Sequence, residues 1–448
     1  MNALITSAPL LLRRRGALAD ALPVIAFTAA TAIIATVIGG AAAFARRIPA
    51  DLTGPVSAEA QLMPFLMLCA LFASVLLIPS AVGLGGSAAR LSLARRERDL
   101  AAIRLVGGGT TAQVGGIAVL DVAAQALLGA AAGVVVHMLA AAPLTALDFG
   151  ITPFTVGELL MPWWAYPLLI AAVVLLAAAS AAVSLTGVVL SPLGVARDSR
   201  TVRMSVLRLL IWGALIIGFL LFMQIMPMID SQGSNLGMVI AIGFVAAIVA
   251  GMNVAGPFLV WVAARIAAAL APAPALLVGA RRLAADPRAG WRAVSGITFA
   301  MVIAGFLTII ATIEPSTPED QMLVTALHTG GMLTLGIAAV LAAVVTGVTQ
   351  TARVIDHAPQ IRAQHIAGAE VSQLYRARLA EITLPVLLSS VVATFTAFLV
   401  LLIVFGGGAA DARTVILYFL GVLGAYALVV AAVLVSAPLV RRAALRTA

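Results

Sequence analysis

Apolar residues in this chain fall into long uninterrupted runs, separated by short segments that hold most of its arginines, aspartates and glutamates. The runs lack the two-residue alternation of barrel strands. Each is about 18 residues or longer, enough to cross a roughly 30 Å hydrocarbon layer as a helix. They predict ten transmembrane helices near 21–45, 61–85, 113–142, 163–190, 206–228, 236–264, 293–313, 323–349, 380–405 and 414–438. Gly256-Pro257 is expected to kink or break the sixth of these, because proline removes a backbone donor and crowds the preceding turn. The expected fold class is an all-α polytopic membrane protein with short outer loops and no large ectodomain.

Composition agrees. Of 448 residues, 62% are hydrophobic and only 10% charged, with a mean hydropathy of +1.13; a soluble protein of this length needs more charge to cover its surface. All 27 basic residues are arginine. With the N-terminus inside, every arginine except Arg46, Arg47 and Arg413 falls on the cytoplasmic side, and the positive-inside rule selects that topology. Both termini are then cytoplasmic in a multi-pass cell-membrane protein. The outer loops carry Asp148, Glu158, Asp230, Glu314, Glu319 and Asp320. The net charge of +9 is met by anionic membrane lipid, with no nucleic-acid partner implied. Arg13–Arg15 precede an apolar run longer than a signal-peptide core, so a retained first helix is expected.

The absence of lysine removes the phosphate-binding loop of ATPases and Schiff-base catalysis. A single cysteine, Cys69, and four scattered histidines offer neither a disulfide framework nor a metal cluster. The sequence shows no catalytic site.

The polar segments hold a motif that occurs twice. The first copy reads Arg95-Arg96-Glu97-Arg98-Asp99, continues to Ile103-Arg104-Leu105-Val106-Gly107-Gly108, and runs through Gln113 to Asp121. The second reads Arg353-Val354-Ile355-Asp356-His357, then Ile361-Arg362-Ala363-Gln364-His365-Ile366-Ala367-Gly368, and runs through Gln373 to Glu381, with Pro359 interrupting it. Gln113 and Gln373 are 260 apart, as are Asp121 and Glu381; upstream of the glycine the offset is 261, as one extra glycine in the first copy explains. Leu93, Leu100 and Ile103 can share one helix face, leaving Arg95 and Arg98 on another for a partner's carboxylates. Gly107–Gly109 and Gly368 permit a left-handed stop. The alternative is that both are merely positive-inside loops fraying at the membrane surface.

The pattern Arg-Glu, then Ile-Arg-Leu-Val-Gly and a long span after Gln-Val, resembles the FtsX-like permease domain of ABC transporters. Ser191-Pro192-Leu193-Gly194-Val195-Ala196-Arg197 is similar to that domain's closing segment. Arg281-Arg282-Leu283-Ala284-Ala285-Asp286-Pro287-Arg288 with Trp291-Arg292 resembles the start of a second such domain in actinobacterial members. The resemblance implies two four-helix domains, 1–200 and 277–448, joined by a pair of helices in 201–276. It implies a permease subunit driven by a separate ABC ATPase subunit, two copies per chain, which would bind the ATP and Mg. The ATPase would be met by contact helices at about 91–108 and 352–368, through Arg95, Arg96, Glu97, Arg98, Asp99, Arg104 and Gly107, and through Arg353, Asp356, Arg362, His365 and Gly368. The 46–60 and 314–322 loops are too short for the ectodomain many relatives carry, which points to a hydrophobic or amphipathic compound met within the membrane: a peptide antibiotic, drug or lipid. Two other classes stay open, a mechanotransmitter driven by an ATPase without transport and a secondary transporter.

Asp121 and Glu381, at equivalent positions, are read either as conformational latches toward Arg104 or Arg378 or as ordinary interfacial carboxylates. His137 and His328 read as water-facing interfacial histidines rather than a haem pair, and Trp163, Trp164 and Tyr166 as an aromatic belt. Asn253 is expected to repair hydrogen bonds lost at Pro257. Small residues in the spans are expected to allow close helix packing.

Overall fold

The computed structural model describes residues 17–49, 57–105, 111–189, 206–230, 236–288, 315–356 and 358–405, with scattered positions between 290 and 298 and between 416 and 431. No strand occurs among them. The helices are α1 (Ala17–Arg46), α2 (Ala58–Leu105), α3 (Thr111–Leu144), the single turn α4 (Val156–Leu159), α5 (Ala165–Val189), α6 (Val206–Asp230), α7 (Leu236–Ala269), α8 (Pro274–Ala285), α9 (Pro318–Asp356), α10 (Ala358–Ile366) and α11 (Val371–Phe405).

Six of the described helices are long and apolar enough to cross a membrane, with runs Ala21–Arg46, Ala58–Arg90, Gly115–Leu144, Ala165–Ser184, Ala250–Ala269 and Pro318–Val354. The chain is a multi-pass membrane protein, helical throughout its described secondary structure. The expected spans at 206–228, 236–264 and 380–405 fall on α6, α7 and α11; those at 293–313 and 414–438 lie mostly outside the described residues. The helix over 236–264 is not broken at Gly256-Pro257: α7 runs through Pro257 to Ala269. Inside a bundle, neighbouring helices and side chains can satisfy the backbone group that proline frees.

The main core lies where α1 packs on α2 and α3, α3 on α5, and α9 on both α1 and α2. Leu22, Phe27 and Ile34 of α1 meet Leu77, Leu84 and Leu93 of α2, Val122 and Ala126 of α3, and Leu341 and Val348 of α9. Small residues set the α1–α3 distance, as expected. A Cβ on Gly133 would stand 2.6 Å from the Thr28 carbonyl oxygen, and one on Gly129 would stand 2.8 Å from that of Val24. Such close backbone approach recovers dispersion contact where lipid removes the hydrophobic drive between helices.

At the offset of 261, Leu77 and Ala338, Ala81 and Ala342, and Leu93 and Val354 are all buried on α2 and α9. These two helices, which carry the two copies of the motif, pack on each other. A second core joins α7, α8 and α11 around Trp291, with Met252, Val260, Leu283 and Val386. Here the indole N–H of Trp291 donates to Asn253 Oδ1 at 3.2 Å.

Candidate partner-docking site

The two contact elements are built differently. In the first copy the span and the contact helix are one continuous helix, α2, which carries the chain without a break from Ala58 to Leu105. The side chains of Arg95, Arg96, Glu97, Arg98, Asp99 and Arg104 lie outside the described residues, as does Gly107. In the second copy α9 ends at Asp356, whose side chain is likewise outside the described residues, and the short helix α10 begins at Ala358. Pro359 at the second position of α10 suits a helix start, where its missing N–H has no partner to lose, and would break a helix interior.

The second element is tied down on several sides. Val354 of α9, Ile361 of α10 and Leu374 of α11 form a small buried cluster beneath Ala369 and Val371. Gly368 adopts φ +98°. The Ala369 N–H donates to the Gln364 carbonyl at 3.0 Å and the Gly368 N–H to that of His365 at 3.0 Å. That pair of bonds is the Schellman stop expected from a glycine at this position. The ring of His365 adds a bond between Nδ1 and the Ala369 carbonyl at 2.9 Å. Arg362 is half-buried, while Ile366 at the end of α10 is 74% exposed. Gly368→Ala places a side chain in the left-handed region at a cost of about 1 kcal/mol, so amide exchange over 358–368 should quicken about fivefold. Unchanged exchange would mean the stop does not depend on the glycine.

The side chains of Arg104 and Arg378, the expected latch partners of Asp121 and Glu381, lie outside the described residues. Among the described residues Glu381 meets another arginine. Its carboxylate takes the guanidinium of Arg353, from the second motif itself. Arg353 also approaches Asp286, which follows α8, with Nη2 3.8 Å from Oδ2. Arg282 of α8 donates to Gln364 Oε1 of α10 at 3.1 Å. Close packing supports these bonds, since a Cβ on Gly279 of α8 would stand 2.6 Å from the Ala377 carbonyl oxygen of α11. The second element, α8 and the start of α11 therefore form one polar-linked unit. In the first copy Asp121 accepts from Gln125 Nε2 at 3.1 Å, and Ser92 stands at the position equivalent to Arg353.

Sequence reasoning missed an ordered cap at the opposite end of the bundle, residues 145–164. Thr155 and Glu158 form a capping box around α4: the Thr155 N–H and hydroxyl both donate to Glu158 Oε2, at 2.8 and 2.9 Å. Arg47 grips the same carboxylate with Nε (2.7 Å) and Nη2 (2.9 Å), donates to the Thr152 carbonyl at 2.6 Å, and lies 4.1 Å over the Phe154 ring. Arg46 donates to the carbonyls of Glu158 and Leu160, at 3.0 and 3.2 Å. Glu59 of α2 accepts both the N–H and the hydroxyl of Thr152, at 3.2 and 2.8 Å. Phe44, Phe149 and Phe154 pack edge to face beneath. The Thr-x-x-Glu spacing was the one sequence signal for this element.

The hydrogen bonds from Arg47 hold the Glu158 carboxyl at about 2, well under its ordinary 4.5, and raise Arg47 in turn. A carboxyl lowered by folding stabilises the fold above its unfolded value and loses that contribution as pH falls through the folded one. The cap should therefore be indifferent to pH from roughly 8 to 5 and loosen only in stronger acid, read by the fluorescence of the exposed Trp163 and Trp164. A transition near neutrality would assign control of the cap to another group.

Two local expectations are corrected at this end. Tyr166 does not join the exposed belt: it is buried, its hydroxyl oxygen accepting the Met161 N–H at 3.1 Å. His137 is 1% exposed and hydrogen-bonded through Nδ1 to the Thr36 hydroxyl at 3.1 Å, because α3 turns it inward onto α1. His328 is exposed on α9, far along the chain and on a different helix. No family model, curated protein or solved structure matches the chain, so what it does is argued from this geometry.

Proposed function

We propose that the chain is the permease subunit of an ABC transporter, with ten spans arranged as two FtsX-like domains and a linking pair. A separate ATPase subunit binds ATP and Mg and docks at 91–108 and 352–368. The observation that carries this reading is the second contact element. A sequence motif repeated at fixed offset ends in a capped, nine-residue helix that is bonded to the start of the span that follows it. A frayed positive-inside loop has no use for a glycine stop, a buried apolar cluster and a salt bridge to that span.

On this reading the repeat end faces the cytoplasm, where the arginines congregate, and the cap faces outward in the cell membrane. Closure of two ATPase subunits draws the contact elements together. Because α2 is one helix through its contact segment, and Arg353 joins α9 to α11, the motion passes into the spans. The cargo is a hydrophobic or amphipathic compound taken from the membrane. The exposed apolar faces of the spans suit lateral access by such a molecule.

The test is affinity purification from native membranes in mild detergent, wild type against Arg95→Glu/Arg98→Glu. Wild type should bring down an ATP-hydrolysing subunit that the charge-reversed chain loses while keeping its own thermal stability. A wild-type chain that purifies with no ATPase contradicts the assignment and returns the secondary transporter to first place.

A further inference from the structure

The cap is held unequally by the two halves of the molecule. On one side stand α1 and α2. Arg47 and Arg46 fasten the cap through charge-assisted bonds, including the two-pronged grip on Glu158, and Glu59 adds its paired bonds to Thr152. On the other side stand the first turns of α9. Among the described residues the hydrogen bond across that seam is the Thr329 hydroxyl donating to the Asp148 carbonyl at 2.6 Å. The rest is small or apolar: Gly150, with φ +67°, lies against Met322 and Thr325, and Phe149 packs near Gly330 and Ala326.

Charge-assisted bonds are roughly twice as strong as neutral ones, and a two-pronged arginine grip also fixes orientation. A neutral hydrogen bond contributes only about 1 kcal/mol net. The cap therefore travels with α1 and α2, and the seam against α9 is where this end parts. The start of α9 is itself rigid: Thr317 accepts the Asp320 N–H at 3.1 Å, and Asp320 accepts the Thr317 N–H at 3.0 Å. Two stiff edges thus meet along a line held by apolar packing and a neutral hydrogen bond, with no charge-assisted bond across it among the described residues.

We propose that this seam, between Asp148–Gly150 of the cap and Met322–Gly330 of α9, is the outer gate of the permease, opening between the two halves of the chain. The inference rests on the permease reading for its purpose, though not for its test. When the seam opens, the Phe149 ring and the faces of Met322 and Ala326 form the margin of the opening, an apolar rim suited to an amphipathic cargo leaving toward the outer leaflet.

The experiment uses the full chain in lipid nanodiscs, with Cys69→Ala and pairs of spin labels read by pulsed dipolar spectroscopy. Gly157→Cys, whose added side chain meets open space, is paired with Glu319→Cys across the seam and with Gln61→Cys across the arginine clasp. Both pairs should give one narrow distance in the parent. Thr329→Val should add a second component to 157–319, longer by on the order of one helical turn, about 5 Å, and leave 157–61 unchanged. Arg47→Ala should broaden 157–61 instead. A 157–319 distance that stays single in Thr329→Val, or a longer component equal in both pairs, overturns the gate. Neither arm needs ATP or a partner, so the gate can fail while the docking assignment stands, and the reverse.

Discussion

Replacing Gly256 by valine should unfold the second core, at a cost of about 3 kcal/mol or more. Gly256 lies against the face of Trp291, and any Cβ there would overlap ring atoms Cδ2 and Cε2. The ring cannot slide away. Trp291 is 2% exposed, wedged among Val260, Leu283 and Val386, and its N–H is fastened to Asn253 one turn from the glycine on α7. Alanine should already destabilise and valine more so, read as lower melting temperatures of the detergent-purified chain. Trp291→Ala alone should also be costly, because it leaves a large cavity. The double variant Gly256→Val/Trp291→Ala should lose clearly less than the two singles together, since valine then fills space the tryptophan vacated. Additive losses would show that the two residues do not meet.

Arg353→Ala should cost about 2–3 kcal/mol and detach the second contact element from the spans. A fully exposed pair would be worth little. This one is not exposed: the Glu381 side chain is 14% exposed and that of Arg353 25%. Removing the arginine leaves a largely buried carboxylate without that partner, and that penalty exceeds the modest net value of the pair itself. Glu381→Gln, which keeps an acceptor and removes the buried charge, should cost much less. The exchange Arg353→Glu/Glu381→Arg should recover part of the loss. Hydrogen exchange over 358–368 checks the claim, because α10 should open sooner in Arg353→Ala while α3 and α5 keep their protection. If protection there is unchanged, the pair does not hold the element.

How far the chain could be read from its sequence depends on the range of the information. Spans follow from hydropathy over some twenty consecutive residues, and α1, α2, α3, α5 and α9 lie where their apolar runs do. The glycine stop at Gly368 follows from one residue's conformational freedom, and the burial match of Leu93 with Val354 from a repeat at fixed offset. Choices between distant partners were not legible. Glu381 takes Arg353, 28 residues upstream on another helix. Asn253 accepts from Trp291, 38 residues away on another element. The cap was missed for the same reason. Glu158 reads as a loop acid until Arg46 and Arg47, about 110 residues upstream, are seen folded over it, and Asp148 until Thr329 of α9 is seen bonded to its carbonyl. Continuity of α2 through the first motif and the break of α10 in the second were half legible, through Pro359 alone.

The central claim is that 91–108 and 352–368 are equivalent docking sites for one kind of ATPase subunit. Native mass spectrometry of the complex released from its own membranes tests it most directly. The account predicts one permease chain with two ATPase subunits. Arg95→Glu/Arg98→Glu should remove one subunit, and Arg362→Glu/His365→Glu in the second element should also remove one. A chain that carries no ATPase, or one whose ATPase complement is unaffected by both pairs of substitutions, would contradict it.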